Sequence, residues 1–231
     1  MRFAVLRFHG SNCDQDCYHV IDQVMQQPVE YVFQDAEDLS DYDCVVIPGG
    51  FSFGDYLRAG AMAAHTPVMD AVRTHAQEGG LVLGICNGFQ ILCEAGLLSG
   101  ALMINDHLRF ACHDVHVRIE DVQTPFTCAA TPGQVLRLSI AYHQGNYQPD
   151  PQAPPVRVVL RYVTPGGVLD PTANPNGAWE SVAGIANERG NVVAMMPHPE
   201  RASEMALGGQ DGRLVFASIL QWWRQEEDGR V

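Results

Sequence analysis

The chain has 231 residues, 46% hydrophobic and 18% charged, a length and balance that suit one α/β domain over residues 1–231 with a substantial core. Its formal net charge of −13 argues against a nucleic-acid or anionic-membrane partner, because either demands a basic surface. All 14 cationic residues are arginine. The chain therefore lacks a phosphate-loop lysine and a Schiff-base lysine, and any ATP used in its biology is expected on another polypeptide.

Seven scattered cysteines, an odd number, fit reduced thiols better than a disulfide framework. No apolar run approaches the roughly 20 residues of a membrane span, and no leader pattern is visible. A cytoplasmic location is expected.

Arg2 to Phe8 reads as an apolar strand. Gly10-Ser11-Asn12 then offers a turn and an N-cap for a helix through Tyr18, Val20, Ile21 and Val24. Val29 to Phe33 and Cys44 to Ile47 read as further strands, the latter ending at Pro48-Gly49-Gly50. Strands alternating with helices predict a doubly wound, mostly parallel sheet whose sites lie beyond the carboxyl ends of its strands. The loop Phe51 to Gly60 is rich in aromatic and charged groups, and Asp55 and Arg58 within it are placed to pair with each other or to cap a helix. Thr66-Pro67 starts a helix that Gly79-Gly80 stops.

Leu81-Val82-Leu83 leads into Gly84-Ile85-Cys86-Asn87-Gly88, and the pattern resumes at helical spacing through Phe89 to Leu92. This is a nucleophile elbow: a cysteine at the apex of a strained strand-to-helix turn, with glycine two residues before and two after it. Cys86 stands at a helix N-terminus, where free N–H groups stabilise anions. The N–H of Asn87 points at the same space, and Gly50, on the same sheet edge, becomes a second oxyanion donor candidate.

Arg109 to Ile119, Val135 to Ala141 and Val156 to Val163 are strand-like runs separated by Pro, Gly and Asn, which predicts an appended antiparallel section. Cys112, His113 and His116 lie in the first of them. Residues 112 and 113 of a strand face opposite sides, so no metal site is expected there, and Cys13 and Cys17 are read as core packing. Val182 to Ala186 and Asn191 to Met195 form a hairpin, followed by Met196-Pro197-His198-Pro199-Glu200. Pro199 holds His198 extended, so His198 and Glu200 face the same side, as an imidazole and the carboxylate that orients it would. Leu214 to Trp223 is an amphipathic helix whose paired tryptophans are expected on the sheet.

An elbow cysteine, a glycine turn at a preceding strand end and a downstream His-x-Glu together resemble the triad (class I) glutamine amidotransferases, which have a flavodoxin-like fold. Gly10 to Asp14, Pro48 to Gly60, Cys86 to Leu92 and Met195 to Arg201 are similar to the branch serving as glutaminase subunit of phosphoribosylformylglycinamidine synthase. The resemblance spans essentially the whole chain, and Gly54-Asp55-Tyr56-Leu57-Arg58-Ala59-Gly60 points to this branch.

It implies that Cys86 attacks the side-chain amide of glutamine, His198 moves the proton and Glu200 orients His198. It further implies that the N–H groups of Gly50 or Phe51 and of Asn87 hold the oxyanion, and that Gln90 contacts the substrate. Ammonia would pass to a separate synthetase subunit carrying ATP and Mg²⁺, assisted by a small accessory subunit, with no cofactor or metal in this chain. Two departures stand out: Tyr142-His143-Gln144-Gly145 replaces the usual His-x-Glu-Gly, and His9 stands where proline is usual. The competing readings are a glutaminase for another synthetase, a silent glutamine sensor or scaffold, and a partner-free cysteine hydrolase.

Overall fold

The computed structural model describes residues 1–229. The short β-branched runs become the centre of a nine-stranded sheet. Its parallel part comprises β1 (Phe3–Arg7), β2 (Val29–Phe33), β3 (Cys44–Ile47), β4 (Leu81–Ile85) and β11 (Val192–Met195), in the order β2-β1-β3-β4-β11. Every residue of β3, β4 and β11 is buried, as strands covered on both faces require. Three helices accompany the parallel strands: α1 (Asp14–His19), α2 (Pro67–Gln77) and α3 (Asn87–Glu94).

The sheet continues past β11 through antiparallel strands β10 (Val182–Ala186), β9 (Arg157–Val163), β6 (Ala111–Ile119) and β7 (Val135–Tyr142). These are the Pro- and Gly-punctuated runs of the sequence. They form part of the main sheet, and β7 reaches back to the strand tips, where Ser139 bridges to His198. A separate pair, β5 (Ala101–Met103) with β8 (Asn146–Gln148), carries too few residues to show a period in the sequence.

Two local expectations are corrected. The first helix starts after Cys13 with no side-chain cap, because Ser11 Oγ instead accepts from the Phe8 N–H at 3.1 Å and closes the turn. It also relaxes into a π-helical turn over Val20–Val24. The final helix, α4 (Arg213–Gly229), buries Val215, Phe216 and Ile219, while Trp222 and Trp223 are half-buried beside Tyr42 and His75.

Candidate active site

Three neighbouring strands in parallel register end side by side. Ile47 pairs with Gly84, and Met195 pairs with Ile85, so Pro48-Gly49-Gly50, Cys86 and the 196–200 segment leave the sheet at one edge. The Cys86 N–H donates to the Met195 carbonyl at 2.8 Å, tying the elbow to the strand that delivers His198.

Cys86 is buried, with φ +50° and ψ −103°. A non-glycine residue held there stores strain of about 1–3 kcal/mol, and the surroundings must enforce it. They do so by contact. A Cβ on Gly84 would lie 2.6 Å from Leu92 Cδ1 and 2.9 Å from the Gly88 carbonyl carbon, and one on Gly88 would collide with the Ile47 carbonyl oxygen. Gly88→Ala is accordingly expected to cost about 1–3 kcal/mol through overpacking. That would lower the melting temperature by several degrees relative to Gly209→Ala, whose Cβ meets nothing within 4 Å.

His198 Nδ1 sits 2.6 Å from Glu200 Oε1, both side chains being almost completely enclosed. The backbone is pinned by the His198 N–H donating to the Ser139 carbonyl at 2.9 Å. Burial opposes the imidazolium, but the Glu200 carboxylate, then the Cys86 and Cys13 sulfurs, outweigh it and hold the His198 pKa well above the usual histidine value. His198 Nε2 has no hydrogen-bond partner among the described residues. Everything converges on Gly49: a Cβ there would lie 2.7 Å from His198 Cε1, 3.1 Å from Cys13 Sγ and 3.4 Å from Cys86 Cβ. Only a residue without a side chain allows this approach.

The oxyanion candidates divide. The Phe51 N–H already donates to the Gly10 carbonyl at 3.0 Å, whereas the Gly50 N–H has no acceptor among the described residues. Asn87 opens α3, so its N–H has no intrahelical acceptor. Its side chain works in two directions, Oδ1 accepting from the Ser52 N–H at 3.1 Å and Nδ2 donating to Gln90 Oε1 at 2.9 Å. Gln90 Nε2 in turn donates to the Gln144 carbonyl at 2.7 Å, so the Gln90 amide links the elbow helix to the segment that departs from the family pattern. In that segment the Tyr142 hydroxyl is buried against that of Tyr162, and Asn176 Nδ2 donates to it.

Asp55 and Arg58 do not pair. Arg58 reaches Glu94 at the end of α3, Nε to Oε1 being 2.6 Å, while Asp55 Oδ1 is buried without a partner. The loop that carries them turns through left-handed conformations at Phe53, Gly54, Asp55 and Leu57. Its tip is apolar and exposed: Leu57 is 90% and Tyr56 73% accessible. Phe51 faces Phe110, with ring centroids 6.5 Å apart, and Ile104 and Leu108, close to Phe110 in the chain, are exposed as well.

Cys13 is buried, as core packing requires, and it is also more than packing. Its sulfur lies against the site, and Cys13, His198 and Glu200 offer atoms within 4.8 Å of one another, the only such metal-type trio among the described residues. Gly10 to Asp14 follows β1 at the edge that carries the site, which was the available signal. Cys112 and His113 stay exposed on β6.

A doubly wound α/β fold that sets a cysteine elbow against a buried His–Glu pair is of the flavodoxin-like kind, with the groups that nucleophilic catalysis by a cysteine would need. The chain belongs to the CobB/CobQ-like glutamine amidotransferase domain family, whose model matches residues 1–208. It is 52% identical over 226 residues to phosphoribosylformylglycinamidine synthase subunit PurQ of Symbiobacterium thermophilum, covering 96% of each chain. Identity to the PurQ subunit of Moorella thermoacetica is 50%, covering 98% of each. A chain in the structure of PurLQS from Thermotoga maritima superimposes with a TM-score of 0.88 at 44% identity, over 96% of this chain and 98% of that one.

Proposed function

We propose that this chain is a single glutamine amidotransferase domain that hydrolyses glutamine and passes the ammonia to a separate ATP-dependent synthetase making phosphoribosylformylglycinamidine in purine biosynthesis. The observation that carries this reading is the enclosed His198–Glu200 pair brought to Cys86 by adjacent strand ends, in a chain half identical to PurQ subunits.

Cys86 Sγ attacks the carboxamide carbon of glutamine as a thiolate. The N–H groups of Gly50 and Asn87 stabilise the oxyanion, each such donor being worth about 3–4 kcal/mol in the barrier. The His198 imidazolium gives its proton to the departing amine, ammonia leaves, and a thioester to Cys86 remains. Water, deprotonated by His198, then attacks the thioester carbonyl; glutamate departs and the thiolate returns. Glu200 stays ionised and holds the ring in one tautomer. Gln90 positions the substrate pocket from the same helix.

The synthetase subunit, carrying ATP and Mg²⁺, and a small accessory subunit are the proposed partners. The exposed apolar side chains of Phe51, Tyr56 and Leu57, which follow the Gly49-Gly50 turn, with Phe110 against Phe51, are the proposed docking surface, since a partner that receives the ammonia would cover them. A cytoplasmic location belongs to the same proposal and is supported by seven free cysteines.

The test is glutamate release from glutamine by the chain alone, then with the synthetase and accessory subunits, ATP, Mg²⁺ and formylglycinamide ribonucleotide. Slow release alone and strong stimulation by the complete mixture are expected. Leu57→Asp is expected to remove most of the stimulation without changing the slow release by the free chain. Full activity of the free chain, indifferent to the partners, would refute the division of labour.

A further inference from the structure

Cys13 touches the proposed machinery yet takes no part in the reaction above. It is buried at the start of α1, and its N–H donates to the Gly49 carbonyl at 3.2 Å, so its place is set by the glycine turn itself. Arg201 Nη2 donates to Cys13 Sγ at 3.1 Å, and Arg201 Nε donates to Asp16 Oδ2 at 3.2 Å. The next residue back is Glu200, whose Oε1 takes His198 Nδ1 and whose Oε2 is buried with no partner.

That juxtaposition carries a hazard. A guanidinium pairs with a carboxylate through two charge-assisted hydrogen bonds and competes well with an imidazole for it. Arg201 sits one residue from a buried carboxylate with a free oxygen, and two acceptors hold it elsewhere. Asp16 is half exposed, which weakens its grip through solvent screening. Cys13 Sγ is the enclosed one, and it also fills the space that Gly49 leaves beside His198.

We propose that Cys13 is a positioning residue: its sulfur keeps Arg201 off Glu200 and braces the His198 imidazole against Cys86, leaving the whole of the Glu200 carboxylate to the histidine. The inference rests on the reading that His198 and Glu200 serve Cys86. Removing the sulfur frees Arg201 to engage Glu200 Oε2, turns the carboxylate away from Nδ1 and loosens the ring.

The experiment measures kcat and KM for glutamine in the assembled enzyme for Cys13→Ala, Cys13→Ser, Arg201→Gln and the double variant Cys13→Ala/Arg201→Gln. Thermal unfolding confirms that each is folded. Cys13→Ala is expected to lower kcat by roughly 10- to 100-fold, the scale of a misplaced catalytic group, with little change in KM. Cys13→Ser, whose hydroxyl can accept from Arg201, is expected to recover most of the loss. The double variant is expected to recover much of it too, because no cation remains to capture Glu200. A merely structural cysteine predicts the opposite, since a second truncation in the same contact would deepen the defect.

Wild-type kcat in Cys13→Ala, or a double variant as slow as Cys13→Ala, overturns the inference. Should Cys13→Ala not fold, Cys13→Val, which fills the same space but cannot accept from Arg201, takes its place: a kcat loss that Cys13→Val/Arg201→Gln restores upholds the inference, and wild-type kcat, or a loss that the second substitution leaves in place, overturns it. A wild-type assembly that releases no glutamate at all defeats the reading of the site, and the inference falls with it. An active wild type indifferent to Cys13 defeats the inference alone.

Discussion

Cys86→Ala is expected to abolish glutamate release while the chain still unfolds cooperatively near the wild-type temperature. No other described thiol stands at the apex of a strand-to-helix turn, and the proposed reaction has no route to the thioester without Cys86 Sγ. Losing the nucleophile of such a unit removes roughly a million-fold of rate, leaving what the oxyanion donors and binding contribute. Stability is another matter. The elbow is held by contacts of Gly84 and Gly88, not by the sulfur, whose hydrogen-bond contact is a weak approach to the Ala141 carbonyl at 3.8 Å. Alanine keeps the Cβ at the strained φ, so the change in stability is expected to stay within about 1 kcal/mol. Residual turnover close to wild type in the assembled enzyme would remove Cys86 from the mechanism.

Glu200→Gln should be nearly as damaging, by a different route. The amide oxygen can still accept from His198 Nδ1–H, but it carries no charge, and the amide nitrogen competes for the same position. His198 is enclosed, and burial alone pushes its pKa down; the carboxylate is the largest of the groups that reverse this. Without it the ring holds its proton only at lower pH, and it has no preferred tautomer. A fall in kcat of about 10⁴-fold is expected, the scale seen when the buried carboxylate of a catalytic triad becomes an amide. Histidine NMR checks the cause, since the His198 resonance should titrate at lower pH in the variant than in the wild type. An unshifted titration would mean that Glu200 only fills space.

Local chemistry made much of this readable in advance. Glycine on both sides of Cys86 announced an apex where neighbouring side chains are forbidden, and the collisions that a Cβ would meet at Gly84 and Gly88 are the physical reason. Extended backbone before Pro199 put His198 and Glu200 on one side, and they hydrogen-bond. Pairing of Asp55 with Arg58 was misread because nearness in sequence does not decide partners in a loop passing through several left-handed residues. Arg58 is carried to Glu94 instead, while Asp55 turns inward. Phe51 was a reasonable oxyanion donor until Gly10, distant in sequence, claimed its N–H.

By itself, then, the sequence determined the strands of the main sheet, the elbow and the His–Glu pair, because each follows from short-range sterics and side-chain period. Only the tertiary structure decided which strand ends lie beside one another. Parallel pairing of β3, β4 and β11 sets Gly49, Cys86 and His198 at one edge, and β7 reaches in from a distant part of the chain to pin His198. Contacts between residues far apart in sequence leave no periodic trace in it. Cys13 therefore looked like one more buried thiol until the sheet placed it against Arg201 and the histidine.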